Sequence, residues 1–317
     1  MNKDYIFSII CPTLNEENYI GRIIDNFISY CPAPSELLIA DAGSTDATRQ
    51  IVNEYSTKYP NIVLIDNPKK YVSYGFNKAF AESKGKYIGL LGAHTYYPKS
   101  YYQSALQALE TEDCDVVGGP LLQVGKGSMG KAIAYCMSTK MGVGNTAFRT
   151  SKKKQYVDSV AFAIYKRTVF EKVGLLDTEL VRNQDDELHY RINANGFKIL
   201  MIPEMQCEYQ VRDSIPKLFR QYYEYGVYKP LVLKKVKSGI KLRHLVPALF
   251  VSYLISLPIA IFYPIWLLPG LLYLLMALFF SFNNQNPIAI KINCFAVYPV
   301  LHFSYGAGFL LGLSKII

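Results

Sequence analysis

The sequence predicts an α/β chain: a mostly parallel sheet covered by helices on both faces, followed by a C-terminal helical membrane region. Three observations predict it. Short apolar runs alternate with helix-like segments over the first hundred or so residues. Polar clusters fall where several of those runs end. From Leu245 onward the composition turns apolar and nearly uncharged. Strands that alternate with helices imply parallel pairing, because a parallel connection needs a crossover long enough to hold a helix.

The elements follow in order. Ile6 to Cys11 is a buried-strand pattern ended by Pro12. Asn15 offers an N-cap for a helix through about Ser29. Glu36 to Ala40 is a second strand, ending at Asp41, and Asp46 can cap a helix from Ala47 to Tyr59. Ile62 to Ile65 is a third strand. A helix around Phe76 to Ser83 precedes a strand from Lys86 to Leu91, Pro98 opens another helix, and Val116-Val117 begins a further strand.

Leu245 to Tyr263 and Ile265 to Phe282 are apolar runs, and Cys294 to Leu313 is a weaker third. Each is near the ~20 residues a membrane-spanning helix needs. Pro258, Pro264 and Pro269 interrupt the first two, which leaves a re-entrant hairpin or interfacial helices open beside full spans. A buried soluble subdomain is disfavoured, because almost no polar residue is available for a wet helix face. The expected division is residues 1–240 as a catalytic domain and 241–317 as membrane-associated helices.

The formal net charge is +9. Part of that excess is the run Lys229, Lys234, Lys235, Lys237, Lys241 and Arg243, which holds no acidic residue and immediately precedes the first apolar segment. Beside a membrane segment, such a run reads as a cytoplasmic flank attracted to anionic lipid. No nucleic-acid-binding motif supports the rival explanation. The six cysteines are scattered with no Cys-x-x-Cys pair, which argues against a zinc cage and fits a reduced compartment. Met1-Asn2-Lys3-Asp4 lacks the apolar core of a signal peptide.

In parallel α/β sheets, ligands bind at the carboxyl ends of strands. Three polar clusters are expected there: Pro12-Thr13-Leu14-Asn15-Glu16-Glu17, Asp41-Ala42-Gly43-Ser44-Thr45-Asp46, and Gly92-Ala93-His94. Neither a Gly-x-Gly-x-x-Gly fingerprint nor a Walker A sequence is present, which disfavours a dinucleotide or P-loop site. A fourth cluster, Asp185-Asp186-Glu187, sits at an expected helix start. Acidic residues there can simply favour the helix dipole.

These segments, in this order, resemble the family 2 glycosyltransferases, whose catalytic domain has the GT-A fold. The resemblance covers roughly residues 5 to 245. It rests on SIICPTLNEENYI, LLIADAGSTDAT, YIGLLGAHTYYP, NQDDELHYR and RQYYEYG. Within the family, GVGNTAFR, VDSVAFAIYKR and RNQDDEL are similar to the succinoglycan-type glucosyltransferases of exopolysaccharide assembly. The resemblance implies an inverting transfer from a nucleotide-sugar donor, UDP-glucose as first guess, to a lipid-linked glycan precursor. It would occur at the cytosolic face of a bacterial inner membrane, with polysaccharide-assembly proteins as possible partners.

The resemblance also implies residue roles. Asp41 stands where the family places an aspartate on the nucleotide base, and an ionised carboxylate is a pure acceptor suited to that task. Pro12, Thr13, Asn15, Glu16, Gly92 and Ala93 would line the donor nucleotide. Asp185 would be the general base, with Asp186, Glu187 and Arg191 supporting the site. Gln221 and Tyr222 fall in the segment that closes over it. The family's D-x-D metal motif aligns with Gly92-Ala93-His94, so His94 is the remaining candidate ligand for a divalent cation, Mg or Mn. Glycine supplies no ligand, and hard cations prefer oxygen to imidazole nitrogen. Phosphate binding by His94 without metal therefore stays open. Two rival readings follow. Gly92 motivates a non-catalytic sugar-nucleotide or glycan-binding component, and a processive polysaccharide synthase would need more membrane helices than three.

Overall fold

The computed structural model describes residues 5–236 and 241–316. The chain packs as two compact units, one formed by residues 1–122 and 151–209 and the other by 123–150 and 210–317.

In the first unit, β1 (Phe7–Thr13) is followed by α1 (Ile20–Tyr30), β2 (Glu36–Asp41), α2 (Thr48–Lys58), β3 (Ile62–Asp66), α3 (Val72–Glu82) and β4 (Tyr87–Leu90). Then come β5 (Thr95–Tyr96), α4 (Tyr101–Thr111) and β6 (Val116–Gly119). β7 (Leu121–Val124) carries the chain into the second unit, which opens with α5 (Gly127–Cys136), α6 (Lys140–Val143) and α7 (Ala147–Thr150). Returning to the first unit, the chain forms β8 (Gln155–Tyr156), β9 (Ala161–Lys166), α8 (Arg167–Val173), α9 (Gln184–Ala194), β10 (Ile199–Met201) and β11 (Cys207–Gln210).

The main sheet has the order β3-β2-β1-β4-β9-β6-β10-β8. Its first four strands are parallel, β9 runs antiparallel to both β4 and β6, and β10 is parallel to β6. Central strands buried on both faces read as continuous apolar runs, as Ile9, Ile10 and Leu37 to Ile39 do. Helix α1 buries Ile20, Ile23, Ile24 and Phe27, one face of a 3.6-residue period.

The expected elements form, with instructive shifts. β1 continues through Pro12 to Thr13 because Pro12 lies past Ile10, the last residue paired with β4, so its missing N–H breaks no ladder bond on that side. The first helix starts at Ile20 instead of near Asn15, because the intervening loop is tied to the loop after β2, as described below. The third helix starts four residues before the expected Phe76, at Val72.

In the second unit, α10 (Ile215–Val236) is followed by α11 (Leu242–Ser256), α12 (Leu268–Phe282) and α13 (Ile288–Ser314). Among the described residues three segments are long and apolar enough to cross a membrane: Leu242–Ile261, Pro264–Phe282 and Ile288–Ser314. Pro247 and Pro299 lie inside α11 and α13, whereas the three prolines expected to interrupt the spans sit between helices or at a helix start. Pro258 and Pro264 fall in the short 3₁₀ turns linking α11 to α12, and Pro269 lies in the first turn of α12, where a missing N–H is harmless. The first two segments are only 17% and 11% buried, whereas the third is 44% buried and so has a protein-facing side. That side meets α10 at glycines: a Cβ on Gly226 would lie 2.2 Å from the carbonyl of Tyr305, and one on Gly308 would lie 2.2 Å from that of Tyr223. The basic run is not all solvated surface. Lys229 is buried, Lys234 bonds the carbonyl of Ile316 at 2.9 Å, and Arg243 bonds that of Asn145 at 3.0 Å. Lys237 lies outside the described residues. All six cysteines are free thiols.

Candidate active site

The loops after β1 and β2 interlock. Asn15 adopts a positive φ of 54°, a conformation asparagine tolerates better than most residues, and its Oδ1 accepts from the Thr45 amide at 2.8 Å. The Asn15 amide donates to Ser44 Oγ at 2.9 Å, that of Glu16 to Thr48 Oγ1 at 2.8 Å, and that of Glu17 to Asp46 Oδ2 at 3.1 Å. Asp46 also accepts from the Thr48 amide at 3.0 Å, serving the start of α2. Thr13 is buried, and its hydroxyl bonds the Cys11 carbonyl at 3.0 Å. Pro12 is half-buried beside it.

Asp41 is fully buried, and its carboxylate is occupied. Oδ2 accepts from the amides of Gly43 and Ser44, each at 3.0 Å, and from Arg49 Nη1 at 2.8 Å, while Oδ1 accepts from Ser44 Oγ at 2.5 Å. Burial pushes its pKa up, but the bonds from Ser44, Arg49 and Gly43 outweigh burial and hold it below the ordinary value. A carboxylate has about four acceptor positions. Three of these bonds fall on Oδ2 and one on Oδ1, so an incoming base N–H would meet Oδ1, beside the Ser44 hydroxyl. Asp41→Ala is expected to weaken UDP and UDP-sugar binding together, by about 1–3 kcal/mol. Unchanged UDP affinity by calorimetry would exclude a base-reading role.

Arg49 escaped the sequence reading. It also pairs with Asp66 at 2.8 Å, bridging the adjacent ends of β2 and β3, where Asp41 and Asp66 are register partners. A signal existed: Arg49 lies in the first turn of α2, where a cation opposes the helix dipole, and such a placement needs carboxylate partners.

The third cluster follows β4, directly beside β1. His94 Nδ1 lies 3.1 Å from Glu16 Oε1, and the imidazole is 42% exposed against 18% for Glu16. With Nδ1–H donated to Glu16, Nε2 is left to meet a ligand. Ala93 is buried, and Gly92 donates its amide to Tyr97 Oη at 2.8 Å. Among the described residues no group of three or more His, Cys, Asp or Glu side chains gathers as a metal-holding set. One imidazole backed by one carboxylate suits a cation whose remaining ligands come from elsewhere.

The acidic cluster lies in the first turn of α9, after Asn183 at a positive φ of 62°. Its members differ. Glu187 is buried and grips Arg191 through two bonds, Nε at 2.7 Å and Nη2 at 2.8 Å. Arg191 also donates to the carbonyls of Val173, Gly174 and Leu175. Both residues therefore clamp α9 to the end of α8. One turn after Asp185, His189 is buried against Tyr165 of β9, with ring centroids 6.0 Å apart and Nε2 3.2 Å from the phenol. Burial lowers the His189 pKa despite the carboxylates of Asp185 and Asp186. Asp186 is half-buried. Asp185 is exposed and makes no hydrogen bond or ion pair among the described residues.

Contacts thus join Thr13, Asn15, Glu16, Asp41 and His94 through neighbouring strand ends, whereas no direct contact joins Asp185 to them. Gln221 and Tyr222 belong to the second unit. Both are buried in α10, where Gln221 Nε2 bonds Tyr225 Oη at 3.1 Å and Tyr222 packs edge-on against Tyr225. Lys154 pairs with Glu112 at 2.6 Å in solvent, an ordinary surface contact.

A parallel half-sheet with polar loops at its strand ends, continued by an antiparallel strand and a helix headed by carboxylates, resembles the GT-A fold. The chain belongs to glycosyl transferase family 2, whose model matches residues 8–174. It is 28% identical to the succinoglycan biosynthesis protein ExoA of Rhizobium meliloti, over 95% of this chain and 93% of that one. It is 26% identical to a dolichyl N-acetyl-α-D-glucosaminyl phosphate 3-β-D-2,3-diacetamido-2,3-dideoxy-β-D-glucuronosyltransferase of Methanococcus voltae, over 97% and 98% of the two chains. Its fold resembles the mannosyltransferase PcManGT of Pyrobaculum calidifontis, solved with GDP-Man and Mn2+, at a TM-score of 0.61 and 15% identity over 99% and 88% of the chains. It also resembles S. aureus TarS 1-349 with UDP-GlcNAc, at a TM-score of 0.51 and 14% identity over 95% and 91%.

Proposed function

We propose that this chain transfers a hexose from a nucleotide-diphosphate sugar, UDP-glucose being the first candidate, to a lipid-linked glycan precursor with inversion at the anomeric carbon. Residues 1–240 carry the chemistry and 241–317 the membrane attachment. The observation that supports this most is the division of labour in the acidic cluster: Glu187 is consumed by Arg191, while Asp185 stays exposed and unbonded among the described residues. In this reading Asp185 takes the proton of the acceptor hydroxyl as its oxygen attacks the anomeric carbon. The bond from that carbon to the diphosphate breaks, and the nucleoside diphosphate leaves.

The loops after β1 and β2 would hold the nucleotide, through Asp41, Asn15, Thr13 and Glu16. Two relatives support the substrate classes: the Rhizobium protein is named for succinoglycan biosynthesis and the Methanococcus enzyme for a dolichyl phosphate-linked sugar. A divalent cation would be held by His94 Nε2 and the donor phosphates, with Glu16 orienting the imidazole, and it would neutralise charge on the leaving diphosphate. The test is a donor screen with membrane-extracted protein against lipid-diphosphate acceptors, read by mass spectrometry with and without EDTA. Transfer that EDTA abolishes and Mn or Mg restores is expected. No transfer and no donor hydrolysis with any donor would favour the binding-component reading that Gly92 suggests.

The catalytic domain would face the cytosol of a bacterial inner membrane, where the basic flank Lys229 to Arg243 is retained. Residues 283–291 would return to that side, with Lys291 as their positive marker. A cysteine introduced at Asn284 should resist an impermeant thiol reagent in intact cells, and so should one at Lys315: three full spans would carry the C-terminus outside, but Lys234 of the basic flank bonds the carbonyl of Ile316 and keeps that end on its own side. Labelling at Asn284 would overturn this topology.

A further inference from the structure

The loops that would hold the donor follow β2, β1 and β4, which lie side by side in that order. The next strand across the sheet is β9. It runs antiparallel, with Ile164 opposite Gly89 of β4 and Ala161 opposite Gly119 of β6, so its first residues stand at the edge where β4 and β6 end. A nucleotide sugar lying along this edge, base at β2 and diphosphate at the loop after β4, extends its sugar toward the start of β9. Phe162 stands there.

Phe162 is built into its place. Its φ is +50°, a region that aromatic residues rarely adopt and that persists only when the surroundings impose it. The hydroxyl of fully buried Tyr101 donates to the Phe162 carbonyl. The ring meets Tyr97 edge-on, centroids 6.0 Å apart, and tilts against Tyr209 at 6.5 Å. Tyr209 in turn packs against His94 at 6.0 Å. The ring also closes on Gly92, where a Cβ would lie 2.8 Å from Phe162 Cε1. An aromatic ring thus fills the space into which a side chain at position 92 would grow. Phe162 as a whole is only half-buried.

We propose that Phe162 is the platform for the donor sugar, receiving the apolar C–H face of the pyranose beside His94, and that position 92 is glycine to admit this ring. The proposal rests on the nucleotide-sugar reading above. A pyranose directs its hydroxyls around its rim and exposes C–H bonds on its faces, which pack on an aromatic face as other apolar groups do. The contact engages the sugar and leaves the nucleotide alone, and this separates it from a purely structural role.

The test is calorimetry on the membrane-extracted full chain, after UDP-, GDP- and dTDP-sugars have been screened to find the binding nucleotide. Phe162→Leu, which keeps bulk and removes the aromatic face, should weaken the nucleotide sugar about tenfold while changing the free nucleoside diphosphate by less than about twofold. Phe162→Tyr should bind as wild type. Gly92→Ala, which displaces the ring, should show the same selective loss and add nothing in the Phe162→Leu background. Equal weakening of sugar-bearing and free nucleotide, or no change in either, overturns the platform and leaves the functional reading standing. A wild-type chain that binds no nucleotide sugar overturns both.

Discussion

Asp185→Asn is expected to lower turnover by a factor of about a hundred or more while leaving the fold and donor affinity in place. The amide is nearly isosteric but cannot accept the acceptor's proton. The Asp185 side chain is exposed and makes no hydrogen bond or ion pair among the described residues, so its replacement breaks no such bond within α9. The helix retains Asp186 and Glu187 in its first turn, and the dipole effect of one exposed carboxylate is under about 1 kcal/mol. The measurement pairs single-turnover transfer with calorimetric donor binding. Near-normal transfer would remove Asp185 from the base role.

Two residues further along the same helix the opposite result is expected. Glu187→Ala should destabilise the catalytic unit by about 3 kcal/mol, because it removes one partner of a buried, doubly bonded ion pair. That figure sits at the low end of the usual range because the Arg191 side chain is 24% exposed and keeps its bonds to the carbonyls of Val173, Gly174 and Leu175. Thermal unfolding of the extracted full chain reads the loss. Lost transfer at an unchanged unfolding temperature would show instead that Glu187 acts in the chemistry.

These two outcomes mark where the sequence was legible. A run of three acidic residues at a helix start is visible in one dimension, but their separate tasks are not. Arg191 finds Glu187 because they lie four apart on one helix face, a spacing that was readable. Its second task, holding the end of α8, depends on where the chain returns. The expected cap at Asn15 failed for a related reason: its side chain takes a partner from the loop after β2 instead of serving its own helix. Glu16 is the carboxylate beside His94, yet the two are 78 positions apart, and only the pairing of β1 with β4 brings them together.

What the sequence determined by itself is what short-range pattern encodes. Apolar runs of strand length, helical periodicity and polar strand ends specify the parallel half of the sheet. Three long apolar stretches specify helices able to cross a membrane. Tertiary structure decided which side chains those patterns leave available. Asp41 is held by Ser44, Gly43 and Arg49, Glu187 is consumed by Arg191, and Asp185 is left open. It also decided that Gly92, which reads in sequence as a missing carboxylate, is space taken by the ring of Phe162. A side chain's chemistry is set by its nearest polar and steric neighbours, and in a sheet those neighbours come from strands far apart in the chain.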